Sequence, residues 1–229
     1  MCGRFTVQVG TPDLADLFGA VPVGESLKPS FNAAPGHLVP VVIREGDGLC
    51  LSSFKWGLIP SWAKDPAIGN KLINARAETV AEKPSFRQAF MKRRCLILAD
   101  GFFEWKSEGG RKVPYHITLT DRSVFAFAGL WERWRPEKGE EIRSCVIITT
   151  AANDFMRPIH HRMPVILPAG SEGAWLDPNQ RDRQALLELL VPYPSSAMRA
   201  VVVSTLVNSP RNNSPQCLLP MGDGRPEGG

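Results

Sequence analysis

What this sequence lacks narrows it first. It has no C-x-x-C pair: Cys2, Cys50, Cys95, Cys145 and Cys217 lie tens of residues apart, without the close ligand spacing from which structural zinc sites are built. No metal site is expected. The odd cysteine count and the short, polar start of the chain, which does not read as a secretory signal, argue against a disulfide framework. No run approaches the ~18 consecutive apolar residues of a membrane-spanning helix. A soluble, cytoplasmic protein is therefore expected. A large excess of either charge is also missing: 27 basic residues face 23 acidic ones, for a formal charge of +4, which permits nucleic-acid binding without requiring it. There is no internal repeat, no low-complexity linker and no compositional boundary, and 229 residues with 43% hydrophobic content suffice for one substantial core.

What is present reads mostly as strand. "HLVPVVI", "CLSSFKW", "RCLILAD", "PYHITLT", "SVFAFAGLW", "SCVIITT", "MPVILP" and "RAVVVST" are short β-like runs, several of them separated by turn signals such as "EGDG", "SEGG" and "PEKGE". That pattern predicts hairpins and a largely antiparallel or mixed sheet. Helical patterns are fewer. "TPDLADLFGA" offers Thr11 as cap and Pro12 in the first turn, "KPSFRQAFMK" spaces Phe86 and Phe90 at i,i+4, and "RDRQALLELL" is amphipathic. Because helices do not alternate with strands as in a doubly wound sheet, the expected class is α+β. The sequence predicts a single domain over residues 1–219. Residues 220–229 have little to bury and are expected to form a disordered tail.

Cys95 and Cys145 sit inside apolar runs, where a cysteine behaves as a small buried hydrophobe. Cys2 is different. Once Met1 is removed, its nitrogen is a free amine two bonds from the bond to sulfur, a 1,2-aminothiol that no internal cysteine provides. Four further stretches read unlike sheet filler. "WGLIPSWAKD" sets Trp56 and Trp62 around Gly and Pro, "INARAET" carries Asn74, Arg76 and Glu78, "ADGFFEWK" places Glu104 among aromatics, and "IHHRMPVIL" puts two of the four histidines beside Arg162. Each residue alone has an ordinary explanation: core packing for tryptophan, a helix cap for asparagine, a solvent-facing acid, a surface ion pair.

Taken together and in order, "MCGRF", "FNAAPG", "WGLIPSWAKD", "INARAETVAEKPSFR", "RRCLILADGFFEW", "AGLWE", "ITTAAN" and "HHRMPVIL" resemble the SOS response-associated peptidase, or SRAP, family over nearly the whole chain. The resemblance implies one SRAP-type α+β domain with a sheet-rich core and flanking helices. It also implies a DNA-damage role in the cytoplasm: sensing abasic sites in single-stranded DNA and cross-linking to them through the N-terminal cysteine, without a cofactor, as a monomer. Autoprocessing of Met1 and slow, lyase-like reversal of the cross-link are the other activities it allows.

The chemistry of the residues agrees with that implication. An amine attacks the open-chain aldehyde of an abasic sugar to give an imine, and a neighbouring thiol closes a five-membered thiazolidine. An α-amine, with a reference pKa of about 7.7–8.0 against about 10.4 for lysine, is partly neutral and nucleophilic near pH 7. By the resemblance, Asn74 orients Cys2, Glu104 handles protons, and His160 assists ring opening, with His161 at the variable position of H-x-R-M-P. Arg4, Arg76 and Arg162 are assigned to phosphate. Asn32 and Gly36 of "FNAAPG" bring backbone close to the strand, Trp62 stacks on or wedges beside a base, and Thr150 is a weaker contact near the lesion. The alternatives from other classes are an N-terminal-nucleophile cysteine hydrolase, either an amidotransferase or a thiol peptidase, and a plain single-strand binding module for which Cys2 is dispensable.

Overall fold

The structure, a computed structural model, describes residues 2–137 and 139–221. In chain order the strands are β1 (Phe5–Val7), β2 (Val21–Pro22), β3 (Ser30–Ala33), β4 (Leu38–Glu45), β5 (Gly48–Trp56), β6 (Asn74–Arg76), β7 (Arg94–Ala99), β8 (Gly101–Glu108), β9 (Arg111–Leu119), β10 (Phe125–Trp134), β11 (Ile142–Ala151), β12 (Arg162–Pro164) and β13 (Met198–Val202). The helices are short: α1 (Thr11–Phe18), α2 (Arg87–Lys92), α3 (Glu172–Leu176) and α4 (Arg183–Glu188). All eight β-like runs of the sequence hold a strand, though the last apolar histidine-side run contributes only its first residues to β12. The fold is the α+β class that the pattern predicts.

One sheet follows the order β13-β9-β8-β1-β3, and the other β12-β11-β10-β7-β4-β5-β2. The second sheet closes on itself. β5 also pairs in parallel with β11, Ser144 opposite Lys55 and Cys145 opposite Trp56, so β5, β4, β7, β10 and β11 form a continuous ring. Closure removes the unpaired edges that an open sheet would leave between β5 and β11. β7, β10 and β11 are buried along nearly their whole length, which is why they read as continuous apolar runs rather than as alternating ones. Cys95 and Cys145 lie within this core.

The ring fixes the amino-terminal strand. Chain ends ordinarily fray, but Phe5 is fully buried and packs on Trp56 at 5.1 Å and on Phe127 at 5.7 Å between ring centroids. β1 lies between β3 and β8, with Phe5 opposite Phe102 and Thr6 opposite Gly101. Gly101 has a steric reason: a Cβ there would stand 2.2 Å from Nε2 of His116.

Two local expectations are corrected. Helix α1 is capped at Gly10 and begins with Thr11 itself, whose hydroxyl instead accepts a hydrogen bond from the Leu27 amide at 3.0 Å. Pro220 and Met221, expected within the tail, are instead paired: Pro220 bridges to Val203 and the Met221 amide donates to the Val202 carbonyl at 3.0 Å. The rest of that segment, 222–229, lies outside the described residues. Among the described residues no helix is long and apolar enough to cross a membrane.

Candidate functional site

Four segments distant in sequence meet around Cys2. β8 runs antiparallel to β1, and the Phe103 amide donates to the Arg4 carbonyl at 2.9 Å. This brings Glu104 alongside the first residues of the chain. From the other sheet, β6 pairs in parallel with β11, Asn74 opposite Ile147, and Nδ2 of Asn74 donates to the Cys2 carbonyl at 2.8 Å. Trp56 joins the two sides. Its ring packs on Phe5, and its indole Nε1 donates to the carbonyl of Ile73, the residue before Asn74, at 2.9 Å. The tryptophan of "KWGLIP" is thus core, placed to hold the asparagine and the amino-terminal strand in one frame.

Cys2 is completely buried, and burial, reinforced by the nearby Glu104 carboxyl, pushes its thiol well up. The thiol stays protonated at neutral pH. Glu104 is also buried, at 3% exposure, and the loss of solvent raises its carboxyl above the ordinary range, as desolvation disfavours the charged form. It does not face solvent. His160 lies half-buried in the turn before β12, its amide bonded to the Met156 carbonyl at 2.8 Å. Nδ1 of His160 meets the backbone of Arg162 twice, 3.0 Å from its amide nitrogen and 3.2 Å from its carbonyl oxygen. Burial lowers the His160 pKa. His161 stacks on it at 4.4 Å between centroids, tilted 27°.

β11 also gathers the cationic side. Thr149 lies opposite Arg76 on β6, while Thr150 and Ala151 lie opposite Met163 and Arg162 on β12. Arg76 is exposed and Thr150 is buried. Arg162 is buried as well, and its two terminal nitrogens grip the Glu78 carboxylate at 2.5 and 2.9 Å while Nη2 also reaches the Thr149 carbonyl at 2.7 Å.

Trp62 is 59% exposed on a segment that is otherwise pinned. The backbones of Gly57 and Gly69 touch so closely that a Cβ on Gly57 would meet the Gly69 carbonyl oxygen at 2.6 Å, and the Ala63 carbonyl accepts from the Trp134 indole at 2.7 Å. Trp62, Lys64 and Lys71 line a shallow cleft of about 300 Å³. Gly36 is exposed in a turn with φ +90°, its amide donating to the Trp56 carbonyl at 2.7 Å.

Arg4 and Asn32 serve elsewhere in the free protein. Nη1 of Arg4 donates to Oδ1 of Asn32 at 2.8 Å and to the Val207 carbonyl at 2.7 Å, with its guanidinium over the Trp105 ring at 5.6 Å. Asn32 is wholly buried, and its amide nitrogen donates to the Asn212 and Ser209 carbonyls at 2.7 and 3.0 Å. The Asn32 side chain thus ties the 205–212 segment to β3, and the exposed end of its turn is Gly36.

The model of the family described as SOS response associated peptidase (SRAP) matches residues 1–210. This chain belongs to the SRAP family. It is 47% identical over 222 residues to the abasic site processing protein YoaM of Bacillus subtilis, covering 95% of this chain and 97% of that one. The abasic site processing protein HMCES of Gallus gallus is 33% identical over 271 residues, covering 99% of this chain and 80% of the relative. A solved structure of a Bacteroides thetaiotaomicron protein superposes with a TM-score of 0.86 at 31% identity, across 96% of this chain and all of that one.

Within this SRAP fold, Cys2, Asn74, Glu104 and His160 are brought to one region, with Arg76, Thr150 and Arg162 beside them. Two participants went unassigned in the sequence. Glu78 was visible in "INARAE", but it lies in the exposed turn just after β6, and nothing in the sequence marks its pairing with Arg162. Lys112, across the β8–β9 hairpin, biases both Glu104 and His160 electrostatically, although burial dominates at each. Nothing in its sequence neighbourhood marks it, because the hairpin register decides what it faces.

Proposed function

We propose that this protein senses abasic sites in single-stranded DNA and shields them by a covalent bond to Cys2 after Met1 is removed. The observation that carries this reading is the seat of Cys2: its carbonyl is held by Asn74 at 2.8 Å, and its thiol lies within the influence of the buried Glu104. The names of the relatives, abasic site processing proteins, support the same substrate.

Removal of Met1 turns the Cys2 nitrogen from an amide into an amine. The amine adds to the open aldehyde C1 of the abasic sugar, forming a C–N bond, and loss of water gives the imine. The sulfur then bonds to the same carbon while its proton passes, by way of Glu104, to nitrogen. The thiazolidine is an isomer of the imine, so one water is lost in total. Glu104 suits this proton traffic because its raised pKa lies nearer neutrality than that of an exposed carboxylate. His160, which burial biases toward the neutral form, is suited to assist opening of the sugar hemiacetal.

The protonated thiol favours this order of events. A hydrolase that opens its reaction with a thiolate needs the thiol pKa lowered, whereas burial here raises it. In the amine-first route, sulfur enters only once the imine carbon is fixed beside it. Trp62 and the lysines of its cleft supply stacking and phosphate contact for an unpaired strand. Intact mass spectrometry of the protein, alone and after incubation with an abasic single strand, tests the proposal. The expected product has the mass of the protein lacking Met1 plus the DNA, less one water; an unmodified protein, or an adduct retaining Met1, overturns it.

A further inference from the structure

Both terminal nitrogens of Arg162 are engaged within the protein. Nη1 and Nη2 each face one oxygen of Glu78, at 2.5 and 2.9 Å, Nη2 is shared with the Thr149 carbonyl, and Nε is buried. A fork-to-fork pair of this kind has the geometry with which arginine grips a phosphate. The partner is unusual for such a pair: the Arg162 side chain is 11% exposed, but that of Glu78 is 51% exposed. The carboxylate therefore occupies the open side of a buried guanidinium. The exposed Arg76 ends β6, opposite Thr149, two residues before Glu78 in the turn that follows.

We propose that Glu78 is a built-in substitute for phosphate, filling in the free protein an anion seat made by Arg162 and Arg76, and that a phosphodiester of the bound strand displaces it. The proposal rests on the DNA-binding reading above and deepens it by naming the residue that sets affinity. The Thr149 carbonyl holds Arg162 independently of Glu78, so the guanidinium keeps its place when the carboxylate swings out. The hydrogen bond from Arg162 holds the Glu78 carboxyl below its usual range, and the Arg76 charge adds to the effect in the same direction. A phosphate entering the seat must compete with a fully formed anion. Apparent affinity is then reduced by the fraction of molecules whose seat is closed. Only a strand that gains further contacts, at Trp62 and at Cys2, offsets that loss, so the carboxylate discriminates against intact single strands that pass without reacting.

The test uses the whole protein and a single strand carrying a tetrahydrofuran abasic analogue, which cannot form an imine. Glu78→Gln removes the charge and keeps the shape. Binding is expected to tighten about fivefold, the size of one ion pair no longer to be broken, and the slope of log K against log salt is expected to steepen by about 0.7, for one more net phosphate neutralised on a single strand. In an Arg162→Gln background the same substitution should produce no tightening, since the competition acts through that guanidinium. Unchanged or weaker binding by Glu78→Gln overturns the proposal and makes Glu78 a strut that orients Arg162. Equal tightening in both backgrounds also overturns it, by reducing the effect to general charge. Failure of the unaltered protein to cross-link a true abasic strand is a separate result, and it sinks the function proposed above instead.

Discussion

Asn74 holds Cys2 by its backbone carbonyl, Nδ2 to oxygen at 2.8 Å, and this bond involves neither the thiol nor the nitrogen. It fixes where Cys2 sits without drawing on either atom of the proposed aminothiol. Asn74→Ala removes the donor, and Asn74→Asp replaces it with a group that cannot donate when ionised. A lost hydrogen bond of about 1 kcal/mol, acting on the alignment of the amine, should slow single-turnover cross-linking by about fivefold. Affinity for the tetrahydrofuran analogue should hardly change. A proportional loss of affinity would show that Asn74 acts on binding instead.

Glu104→Gln is expected to slow cross-linking by about 10²- to 10⁴-fold, the usual span for losing a general acid or base. It should also make the protein more stable at neutral pH. The sign follows from linkage: burial raises the folded pKa of Glu104, so the unfolded chain releases this proton more readily and stability falls as pH climbs from the unfolded value through the folded one. A neutral amide escapes that cost. Thermal melting at pH 7 alongside single-turnover rates checks both halves, and a slower but less stable variant would contradict the desolvation account.

The aminothiol mechanism requires nitrogen and sulfur of the same residue. One extra residue left before Cys2 should abolish the stable adduct while sparing affinity for the analogue. Cys2→Ala should still form an imine that borohydride traps, yet the complex should fall apart without reductant. If the blocked protein made the same heat-stable adduct, an internal lysine or a lone thiol would have to be the nucleophile.

Trp62 stands out from a segment whose neighbours are pinned to the core, so its removal should not disturb the fold. Trp62→Ala is expected to weaken binding of an abasic single strand by about 1–3 kcal/mol, the usual value of one base–aromatic stack. The cross-linking rate at saturating DNA should stay near that of the unaltered protein. Titration followed by rates at saturation separates the two effects.

His116 links acidity to stability beneath the site. It lies against Phe103 at 4.9 Å between ring centroids and 3.2 Å from the Thr6 hydroxyl, and burial lowers its pKa to about 4 from 6.5. With the folded value depressed, the unfolded chain takes up a proton first as pH falls. Stability should therefore be lost between about pH 6.5 and 4, by about 3 kcal/mol in all. Urea unfolding at pH 7 and pH 4.5 should show a smaller pH difference for His116→Gln than for the unaltered protein. Equal differences would place the acid sensitivity in other groups.

The chemistry proposed for Cys2 can be read from the sequence because it depends on covalent position alone: only a residue that can become the amino terminus carries a free amine beside its thiol. The strands of the closed ring were legible for a similarly local reason. Apolar runs such as "RCLILA" and "SCVIITT" state their burial in their composition. Tertiary structure decided the rest. Glu104 reads as one more acid between aromatics until pairing of β8 with β1 buries it, and its raised pKa comes from the absence of water, which no neighbouring letter encodes. Asn74 reads equally well as a helix cap until the parallel β6–β11 register aims it at Cys2. Arg162 reads as a phosphate contact or a surface ion pair until β12 delivers it, buried, to Glu78. Each of these outcomes hangs on sheet register between segments tens of residues apart, and shifting a register by one residue turns a side chain to the opposite face.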